Sequence, residues 1–360
     1  CIGIGRIFSG LEKGLLGKME KNHMRYLGFV LGISAVLFVM AGCGISRGYQ
    51  EKQFLAMDTL ISVALSGTEE DVQQIQTIIN ELENKVSTTN QSSELYQINH
   101  RTTDTVMVSD TVAQLLQEEL EISETTNGAL NPALYPISLA WGFTTENKRV
   151  PSEQELAALL PKTDWRQIQL SGNQLILMNG MELDFGATAK GFASDLCAAY
   201  LKEQDVESAL LDFGGNVYTI GDNKEGKKWR IGIRDPWDET AQNFAGVLES
   251  TNEAVITSGN YERYFEQDGI RYHHIMDGTT GMPAQSGLVS VTVISESGVK
   301  ADGLSTALFV MGLEQGIEYW RQHGGFEVIF ITENGEQYYT EGLIGRYEPS
   351  SEKKAEVIDR

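Results

Sequence analysis

Cysteine and histidine are scarce in this sequence. Only three cysteines occur in 360 residues, Cys1, Cys43 and Cys197, and there are five histidines. So few cysteines exclude a small domain built on a disulfide framework. Apolar residues make up 41% of the chain, which is enough for a sizeable core and excludes wholesale disorder. The length is sufficient for one large domain or two modest ones.

Positive charge is also in short supply. The chain has 28 basic and 50 acidic side chains, a formal net charge of −22. Residues 1–42 hold five of the basic and two of the acidic side chains, so residues 43–360 carry a net charge of −25. Such a surface repels nucleic acid, and no basic patch with interleaved aromatic residues occurs, so we expect no nucleic-acid partner. An anionic substrate would need cations of its own at the site.

No apolar run is long enough for a comfortable membrane span. The most apolar stretch, residues 27–41, follows three basic residues between positions 18 and 25 and leads into Ala41, Gly42 and Cys43. This order is typical of a secretory signal. The Ala-Gly-Cys ending is similar to a bacterial lipoprotein signal, in which the Cys43 sulfur receives a diacylglycerol. The alternative is a plain signal anchor in which the cysteine is incidental.

The lipoprotein interpretation divides the chain into five parts. We expect translation to start at Met24 or Met19, so that residues 1–23 lie upstream of the protein, and residues 24–42 to be the signal peptide. Residues 43–53 would be the lipidated cysteine and a polar tether, 54–345 the folded domain, and 346–360 a frayed, charged tail. The mature protein would be exported and held on the outer face of the cell membrane.

Hydrophobic periodicity predicts the secondary structure of residues 54–345. Apolar residues spaced three and four apart predict helices over 69–86, 110–125, 188–204, 301–311 and 313–323. A capping box at Ser152 and Glu155 predicts another short helix. Strands are predicted over 54–65, 167–169, 174–178, 182–185, 208–212, 217–220, 229–234, 254–257, 271–275, 288–294, 326–331 and 337–340. Because the strands come in hairpin-like runs between helices, we predict an α+β fold with mostly antiparallel sheet.

Residues 184–191 combine a strand end, a helix start and a lysine. Gly186 and Gly191 permit close backbone approach, the helix start offers free N–H groups to an anion, and Lys190 adds a cation. This pattern suits a phosphate. An ordinary helix start with a surface lysine explains the spacing equally well.

Two further glycine-bearing segments are weaker indications of a site. Residues 212–216 place Asp and Asn around a Gly-Gly pair, which is more often only a turn. Residues 257–263 combine hydroxyls, a glycine and a Glu-Arg pair, which by itself indicates a loop with a surface ion pair.

The segment 273–281 contains two adjacent histidines before an Asp-Gly turn. A zinc pair is a poor interpretation, because adjacent residues of a strand point to opposite faces. A histidine near an acid could serve as a general base or an orienting group. A turn flanked by a hydrogen-bonded structural histidine is the alternative.

The segment 301–312 offers hard oxygen ligands. Asp302 and Thr306 are four residues apart and therefore share one helical face. Magnesium prefers oxygen, few protein ligands and a phosphate partner, and manganese shares this preference. The alternatives are a helix N-cap for Asp302 and a hydroxyl bonded within its own helix for Thr306.

Together and in this order, these five segments resemble the FAD:protein FMN transferase family, also called ApbE or the flavin-trafficking lipoproteins. Further matching segments are Met57-Asp-Thr, 93–99, Asn131-Pro and Trp141-Gly-Phe. The similarity extends from about residue 54 to 345. Many relatives have Asp in place of Asn131, which weakens any role assigned to that residue.

The resemblance implies a T-fold-like α+β domain that binds FAD as its substrate and Mg²⁺ as its cofactor. It implies metal ligation by Asp302, Thr306 and the backbone carbonyl of Ala187. It places these residues at the nucleotide: Met57, Asp184, Gly186, Lys190, Gly214, Gly215, Asn216, Ser258, Gly259 and His274. His274 is the candidate base or orienting group, with Asp277 in support, and Lys190 and Asp302 complete the catalytic set.

The reaction implied by the resemblance is transfer of FMN from FAD to a threonine of another protein, with release of AMP. The acceptors in the family are exported or membrane flavoproteins, including subunits of redox-driven ion pumps, with a Ser/Thr-Gly-Ala-Thr type site. Two alternatives remain open: an FAD pyrophosphatase that yields FMN and AMP, and a flavin-binding lipoprotein without turnover.

Overall fold

The computed structural model describes residues 48–360 except 146, 239, 241 and 351–353. Cys43 and the predicted signal peptide lie outside the described residues, so lipidation stays a prediction. The helices are α1 Glu69–Val86, α2 Glu94–Asn99, α3 Asp110–Thr125, α4 Tyr135–Trp141, α5 Glu153–Leu159, α6 Ala189–Glu203 and α7 Gly298–His323. None of these helices, within the residues described, combines the length and apolar character needed to cross a membrane.

Seventeen strands are described. They are β1 Gly48–Ala56, β2 Thr59–Gly67, β3 Thr105–Met107, β4 Gln169–Ser171, β5 Gln174–Ile176, β6 Ala209–Phe213, β7 Asn216–Ile220, β8 Trp229–Arg234, β9 Phe244–Ser250, β10 Ala254–Gly259, β11 Tyr264–Gln267, β12 Ile270–His273, β13 Leu288–Ser295, β14 Glu327–Thr332, β15 Gln337–Thr340, β16 Tyr347–Pro349 and β17 Ala355–Ile358.

Nine of the strands form a central sheet in the order β1-β2-β6-β7-β10-β13-β14-β15-β17. All neighbours are antiparallel except β15 and β17. Two three-stranded sheets, β16-β9-β8 and β3-β5-β4, and the hairpin β11-β12 complete the strands. The predicted α+β class with mostly antiparallel sheet is confirmed.

The central sheet has a hydrophobic core on each face. Along β14, Val328 and Phe330 belong to the core beneath the helices, whereas Ile329 and Ile331 belong to the core beneath the β16-β9-β8 sheet. This alternation follows from the two-residue period of a strand. Because both faces are covered, every residue of β13 is buried, and this central strand gives the site a rigid base.

The helices follow the sequence pattern closely. The predicted bounds of α1 and α3 are confirmed, and Ser152 caps α5 by accepting the Glu155 N–H. The two helices predicted over 301–323 form one element, α7, which is interrupted at Gly312 with φ 80° and ψ 176°. The predicted break therefore exists as a single glycine between two helical segments.

Several strand predictions were wrong at the ends of the domain. Residues 54–65 are two strands that meet at a two-residue turn, where Met57 and Asp58 have φ 51° and 56°. The first strand begins at Gly48 and pairs with β2, so residues 48–53 belong to the sheet and not to a tether. Residues 346–360 also contribute strands, because β16 pairs with β9 and β17 with β15.

Residues 182–185 do not form the predicted strand. The side chain of Asn99 replaces a neighbouring strand: its amide donates to the Leu183 carbonyl and its oxygen accepts the Leu183 N–H, each at 2.8 Å. The Asp184 N–H donates to the Pro132 carbonyl at 2.9 Å. The segments 93–99 and 131–132 therefore hold the chain in place where it enters the predicted phosphate loop.

Candidate active site

Two glycines bring α6 and α7 into contact at one end of the sheet. A Cβ at Gly191 would lie 2.2 Å from the Gly298 carbonyl oxygen, and one at Gly298 would lie 2.4 Å from the Gly191 carbonyl oxygen. Asp195 of α6 caps α7 by accepting the N–H groups of Gly298 and Val299 at 2.6 and 2.9 Å. The first turns of both helices are therefore fixed against each other.

Asp302 lies at this crossing with only 4% of its surface exposed. One carboxylate oxygen accepts the Gly191 N–H at 2.8 Å, and the other accepts the Asn216 amide at 3.0 Å. Burial raises the pKa of Asp302, and Lys190 opposes this effect. The N-cap of α7 is Ser297, so the N-cap alternative for Asp302 is wrong. Each carboxylate oxygen keeps a lone pair for a further partner.

The backbone carbonyl of Ala187 is available beside Asp302. A regular helix would direct the Gly191 N–H to this carbonyl, but the N–H donates to Asp302 instead. Within residues 48–360 as described, no hydrogen bond reaches the Ala187 oxygen. The Thr306 hydroxyl lies 3.0 Å from that of Ser258, on β10, and does not bond back to its own helix.

These oxygens form a donor set that fits a magnesium or manganese ion. Ala187, Asp302 and Thr306 line one cleft and supply a carbonyl, a carboxylate and a hydroxyl, all of them hard ligands. In the described part of the chain, no group of three or more His, Cys, Asp or Glu side chains could hold a metal by itself. A cation here would complete its coordination with water or with phosphate oxygens of a ligand.

Most of the residues predicted for the site line one cleft. Its lining consists of Ala129, Leu130, Asn131, Leu134, Ser138, Phe143, Thr144, Asp184, Gly186, Ala187, Lys190, Asn216, Thr257, Ser258, Glu262, Arg263, His274, Ile275, Met276, Asp302 and Thr306. The helix start at 184–191, the strand ends of β7 and β10, and the segment after β12 are thus brought together. These are the segments that the sequence marks as too polar for their surroundings.

Four of the residues predicted at the nucleotide lie outside this lining. A Cβ at Gly214 would lie 1.9 Å from the Thr59 hydroxyl oxygen, so this glycine lets the β1–β2 turn, with Met57, pack against the β6–β7 turn. Gly215 completes the latter turn and donates its N–H to Asp212 at 2.6 Å. Gly259 makes room for the Tyr261 ring. Contact of Met57, Gly214, Gly215 and Gly259 with a nucleotide stays a prediction.

The two histidines have different environments. His273 is buried, its Nδ1 accepts the Ile275 N–H at 3.3 Å, and its Nε2–H donates to the Ala284 carbonyl at 3.0 Å. His274 donates Nδ1–H to the Arg263 carbonyl at 3.2 Å. This bond fixes the tautomer and leaves Nε2 as an acceptor in the cleft. Burial and the nearby Arg263 lower the pKa of His274 to about 3, so the ring is neutral at neutral pH.

The Asp277 turn supports the wall beside His274. Asp277 accepts the N–H and hydroxyl of Thr279 at 2.8 and 2.7 Å, which is an Asx-type turn. The Trp141 indole donates to the Gly281 carbonyl at 2.7 Å. Asp277 is absent from the cleft lining as described, and its support for His274 stays a prediction.

Asp184 belongs to the cleft wall next to the helix start. It accepts the Gly186 N–H at 2.9 Å, and burial raises the pKa of its carboxyl. The Asn131 side chain, also at the cleft, donates to the Thr163 carbonyl and accepts the Ala133 N–H, both at 2.9 Å. Asn131 thus braces the backbone near Pro132, which in turn holds Asp184.

Sequence reasoning missed a buried carboxyl beneath the phosphate loop. Glu119 of α3 is fully buried and accepts a hydrogen bond from the Thr188 hydroxyl. Burial raises its pKa well above the ordinary value, and the charges of Asp184 and Asp302 add to this effect. The signal was present, because Glu119 occupies the same helical stripe as the buried residues Val112, Leu115, Leu116 and Ile122.

Sequence reasoning also missed Arg263 and Glu262 as residues of the cleft. Both line it, and no ion pair between them occurs among the described residues. The interpretation of 257–263 as a loop with a surface ion pair was therefore wrong. Lys190 and Arg263 are the two cationic side chains of the described lining.

Comparisons with known proteins agree with this geometry. A model of the ApbE family matches residues 57–330. The FAD:protein FMN transferase of Klebsiella pneumoniae (strain 342) is 35% identical over 293 residues, which cover 80% of this chain and 90% of that protein. The protein of the same name from Treponema pallidum (strain Nichols) is 33% identical over 292 residues, 76% of this chain and 80% of that protein.

The fold agrees as well. The crystal structure of the ApbE protein from Thermotoga maritima, at 1.58 Å resolution, superposes with a TM-score of 0.77 at 31% identity, and the match covers 83% of this chain and 99% of that one. The region matched by the family model, residues 57–330, contains the whole cleft described above, from Ala129 to Thr306. On sequence and on fold, the chain belongs to the ApbE family.

Proposed function

We propose that this protein is an FAD:protein FMN transferase, which attaches FMN from FAD through a phosphoester to a threonine of an acceptor protein and releases AMP. One observation carries the proposal: a single cleft holds a helix start with Lys190, the oxygen ligands around Asp302, and His274 with a free Nε2. The names of the curated relatives support the same reaction.

The pyrophosphate of FAD is expected at the start of α6. Lys190 and the helix N-terminus attract its negative charge, and the oxygens of Ala187, Asp302 and Thr306 would hold a magnesium ion beside it. When bound, magnesium neutralises charge on the phosphate oxygens and makes the phosphorus more electrophilic. The fixed crossing of α6 and α7 keeps these groups in one geometry without rearrangement during the reaction.

His274 is the candidate base for the acceptor. Its Nε2 accepts the threonine proton while the threonine oxygen attacks the FMN-side phosphorus. The bond from this phosphorus to the bridging oxygen breaks, and AMP leaves with the electron pair. In the absence of nucleotide, the pKa of His274 is about 3. Phosphates that bind beside Arg263 offset its positive charge, so FAD should raise the pKa of His274 toward a useful range.

The proposed location is the outer face of the cell membrane, with a lipid on Cys43. The order of basic, apolar and small residues before Cys43 supports this. Acceptors should therefore be exported or membrane flavoproteins with a Ser/Thr-Gly-Ala-Thr type site.

The proposal is tested with the chain from Gly44 onward, FAD, Mg²⁺ and an acceptor domain that carries the threonine site. AMP release and the mass of the acceptor are measured. Asp302→Ala should lower both by about 1,000-fold or more, because the only carboxylate of the metal donor set is lost. Asp222→Ala, an exposed aspartate outside the cleft lining, is the matched control and should leave both unchanged.

The alternatives give different results in the same experiment. A pyrophosphatase would release AMP at the same rate with and without the acceptor. A flavin-binding lipoprotein would bind FAD and leave it intact. An Asp302→Ala variant that still transfers FMN at the wild-type rate would contradict the proposed role of the cleft.

A further inference from the structure

The cleft has a second cation whose charge is not committed to the fold. Arg263 is exposed and, in the part of the chain that the structure describes, its guanidinium has no hydrogen bond or ion pair. Arg271, on the same hairpin, instead pairs with Glu266 and stacks on Tyr264 at 4.0 Å. The charge of Arg263 acts on the nearby carboxyls of Asp184 and Glu262, but neither forms a close pair with the described guanidinium, which is therefore suited to bind an anion from solution.

The two cations of the cleft belong to different walls. Lys190 is the second residue of α6 and acts on the charge of Asp302. Arg263 lies beside His274, because its carbonyl accepts both the backbone N–H of His274 at 3.1 Å and the ring Nδ1–H at 3.2 Å. The backbone of Arg263 is thus joined directly to the base, whereas Lys190 belongs to the same helix start as the metal donor set, although its charge also acts on His274.

This arrangement distinguishes the two phosphates of FAD. The base must lie beside the attacking hydroxyl, and that hydroxyl must lie beside the phosphorus it attacks. We propose, on the basis of the function proposed above, that the Arg263 guanidinium binds the FMN-side phosphate and stabilises the charge that develops on it during transfer. Lys190 then serves the bridging oxygen and the AMP-side phosphate.

The planar guanidinium is suited to this role. It can donate two parallel hydrogen bonds to two oxygens of one phosphate, which a lysine ammonium cannot do. The acidic side chains of the lining, Asp184, Glu262 and Asp302, would repel an anion. A cation next to the transferred phosphate is therefore needed in a protein of net charge −22.

The side chain can be removed without loss of the bonds that hold His274. Both of these bonds go to the backbone carbonyl of Arg263, so Arg263→Ala keeps them, and the exposed side chain contributes little to stability. Arg263→Ala, Arg263→Lys and the control Arg271→Ala are compared with the wild type for FMN affinity, riboflavin affinity and transfer rate. Riboflavin has the same ring system but no phosphate.

Arg263→Ala should weaken FMN binding by about 10- to 100-fold, the loss expected for a charge-assisted pair. Riboflavin affinity should change by less than about twofold, because it has no group for the guanidinium to bind. Arg263→Lys should recover part of the FMN affinity, and Arg271→Ala should match the wild type. The kcat of transfer should fall by about 100-fold or more in Arg263→Ala.

The pH profile provides a readout that a purely structural role would not change. The positive groups that act on His274 are Arg263, His273 and Lys190. Removal of the charge of Arg263 raises the pKa of the His274 base, so the acidic limb of kcat/KM should move to higher pH in Arg263→Ala. The limb should stay in place in Arg271→Ala.

The inference is overturned if Arg263→Ala binds FMN as tightly as the wild type, or if FMN and riboflavin lose affinity equally. The binding arms do not depend on turnover. If the wild type binds FMN through Arg263 but transfers none to the acceptor, the proposed function fails and the phosphate site stands.

Discussion

The two walls of the cleft differ in how firmly the fold holds them. On the α6–α7 wall, Asp302 is buried and both of its carboxylate oxygens are bonded, and the helices touch where neither can carry a side chain. On the opposite wall, His274 and Arg263 flank the two-stranded hairpin β11-β12, which pairs with no other strand of the described chain. One wall is built into the main core, whereas the other rests on a small hydrophobic cluster around Trp141 and carries the half-buried His274 and the exposed Arg263.

This difference matches two tasks that place different requirements on the protein. Binding a pyrophosphate and a cation requires oxygens at fixed positions, which the crossing of two buried helices supplies. Admitting a threonine of another protein requires an accessible base at the surface. The comparison predicts that substitutions on the helix wall affect folding and chemistry together, whereas substitutions of the cleft-lining side chains His274 and Arg263 affect mainly chemistry.

The largest effect is expected at the helix crossing. In Gly191→Ala the new Cβ would lie 2.2 Å from a backbone oxygen, so the helices must separate, at a cost of about 3 kcal/mol of unfolding free energy. Gly269→Ala is the control on the hairpin: nothing lies within 4 Å, but φ is +78°, and about 1 kcal/mol is expected. Denaturant unfolding measures both costs. Equal costs would contradict the comparison.

Substitutions of the two adjacent histidines should affect catalysis in one case and stability in the other. His274→Ala should lower the kcat of transfer by about 100-fold or more, with a loss of unfolding free energy of about 1 kcal/mol or less, because the half-buried ring makes one hydrogen bond. His273→Ala should do the reverse, because His273 is 7% exposed and both ring nitrogens are bonded. Its loss should cost about 2 kcal/mol and preserve most of the activity. Unfolding curves and transfer rates of both variants test this, and a stable, inactive His273→Ala would refute it.

A smaller effect is expected at Glu119. Burial raises the folded-state pKa of this carboxyl above the unfolded value of about 4.3, so its contribution to stability decreases as pH rises through the folded-state pKa. Glu119→Gln keeps an oxygen for the Thr188 hydroxyl and cannot ionise. It should match the wild type near pH 4, below the unfolded-state pKa, and exceed it by about 1 kcal/mol or more near pH 8. Unfolding at both pH values checks this, and an equal difference at both would be the contrary result.

Local sequence patterns were sufficient to predict most of the longer helices. The bounds of α1 follow from apolar residues at helical spacing and from the N-cap Thr68, both of which are read from neighbouring positions. The β1–β2 turn was missed because Met57 and Asp58 adopt positive φ without a glycine, and turn residues of this kind give no signal in a sequence. The polar residues of Gly48–Gln53 concealed an edge strand in the same way.

The parts of the site that lie within one short sequence motif could be predicted. The parts that depend on contacts between residues far apart in sequence could not. The helix start with Lys190 and the pair Asp302 and Thr306 are local patterns. The free carbonyl of Ala187 and the tautomer of His274 depend on N–H groups and carbonyls from other elements. Such long-range hydrogen bonds are set by packing, so no sequence spacing contains them.

Transfer of FMN to a protein can be measured as the ratio of AMP to flavinylated acceptor. The wild-type chain is incubated with FAD, Mg²⁺ and the threonine acceptor, and both products are quantified over time. We expect one flavinylated acceptor for each AMP, and little AMP when the acceptor threonine is replaced by valine. AMP release at an undiminished rate with the valine acceptor would contradict this expectation.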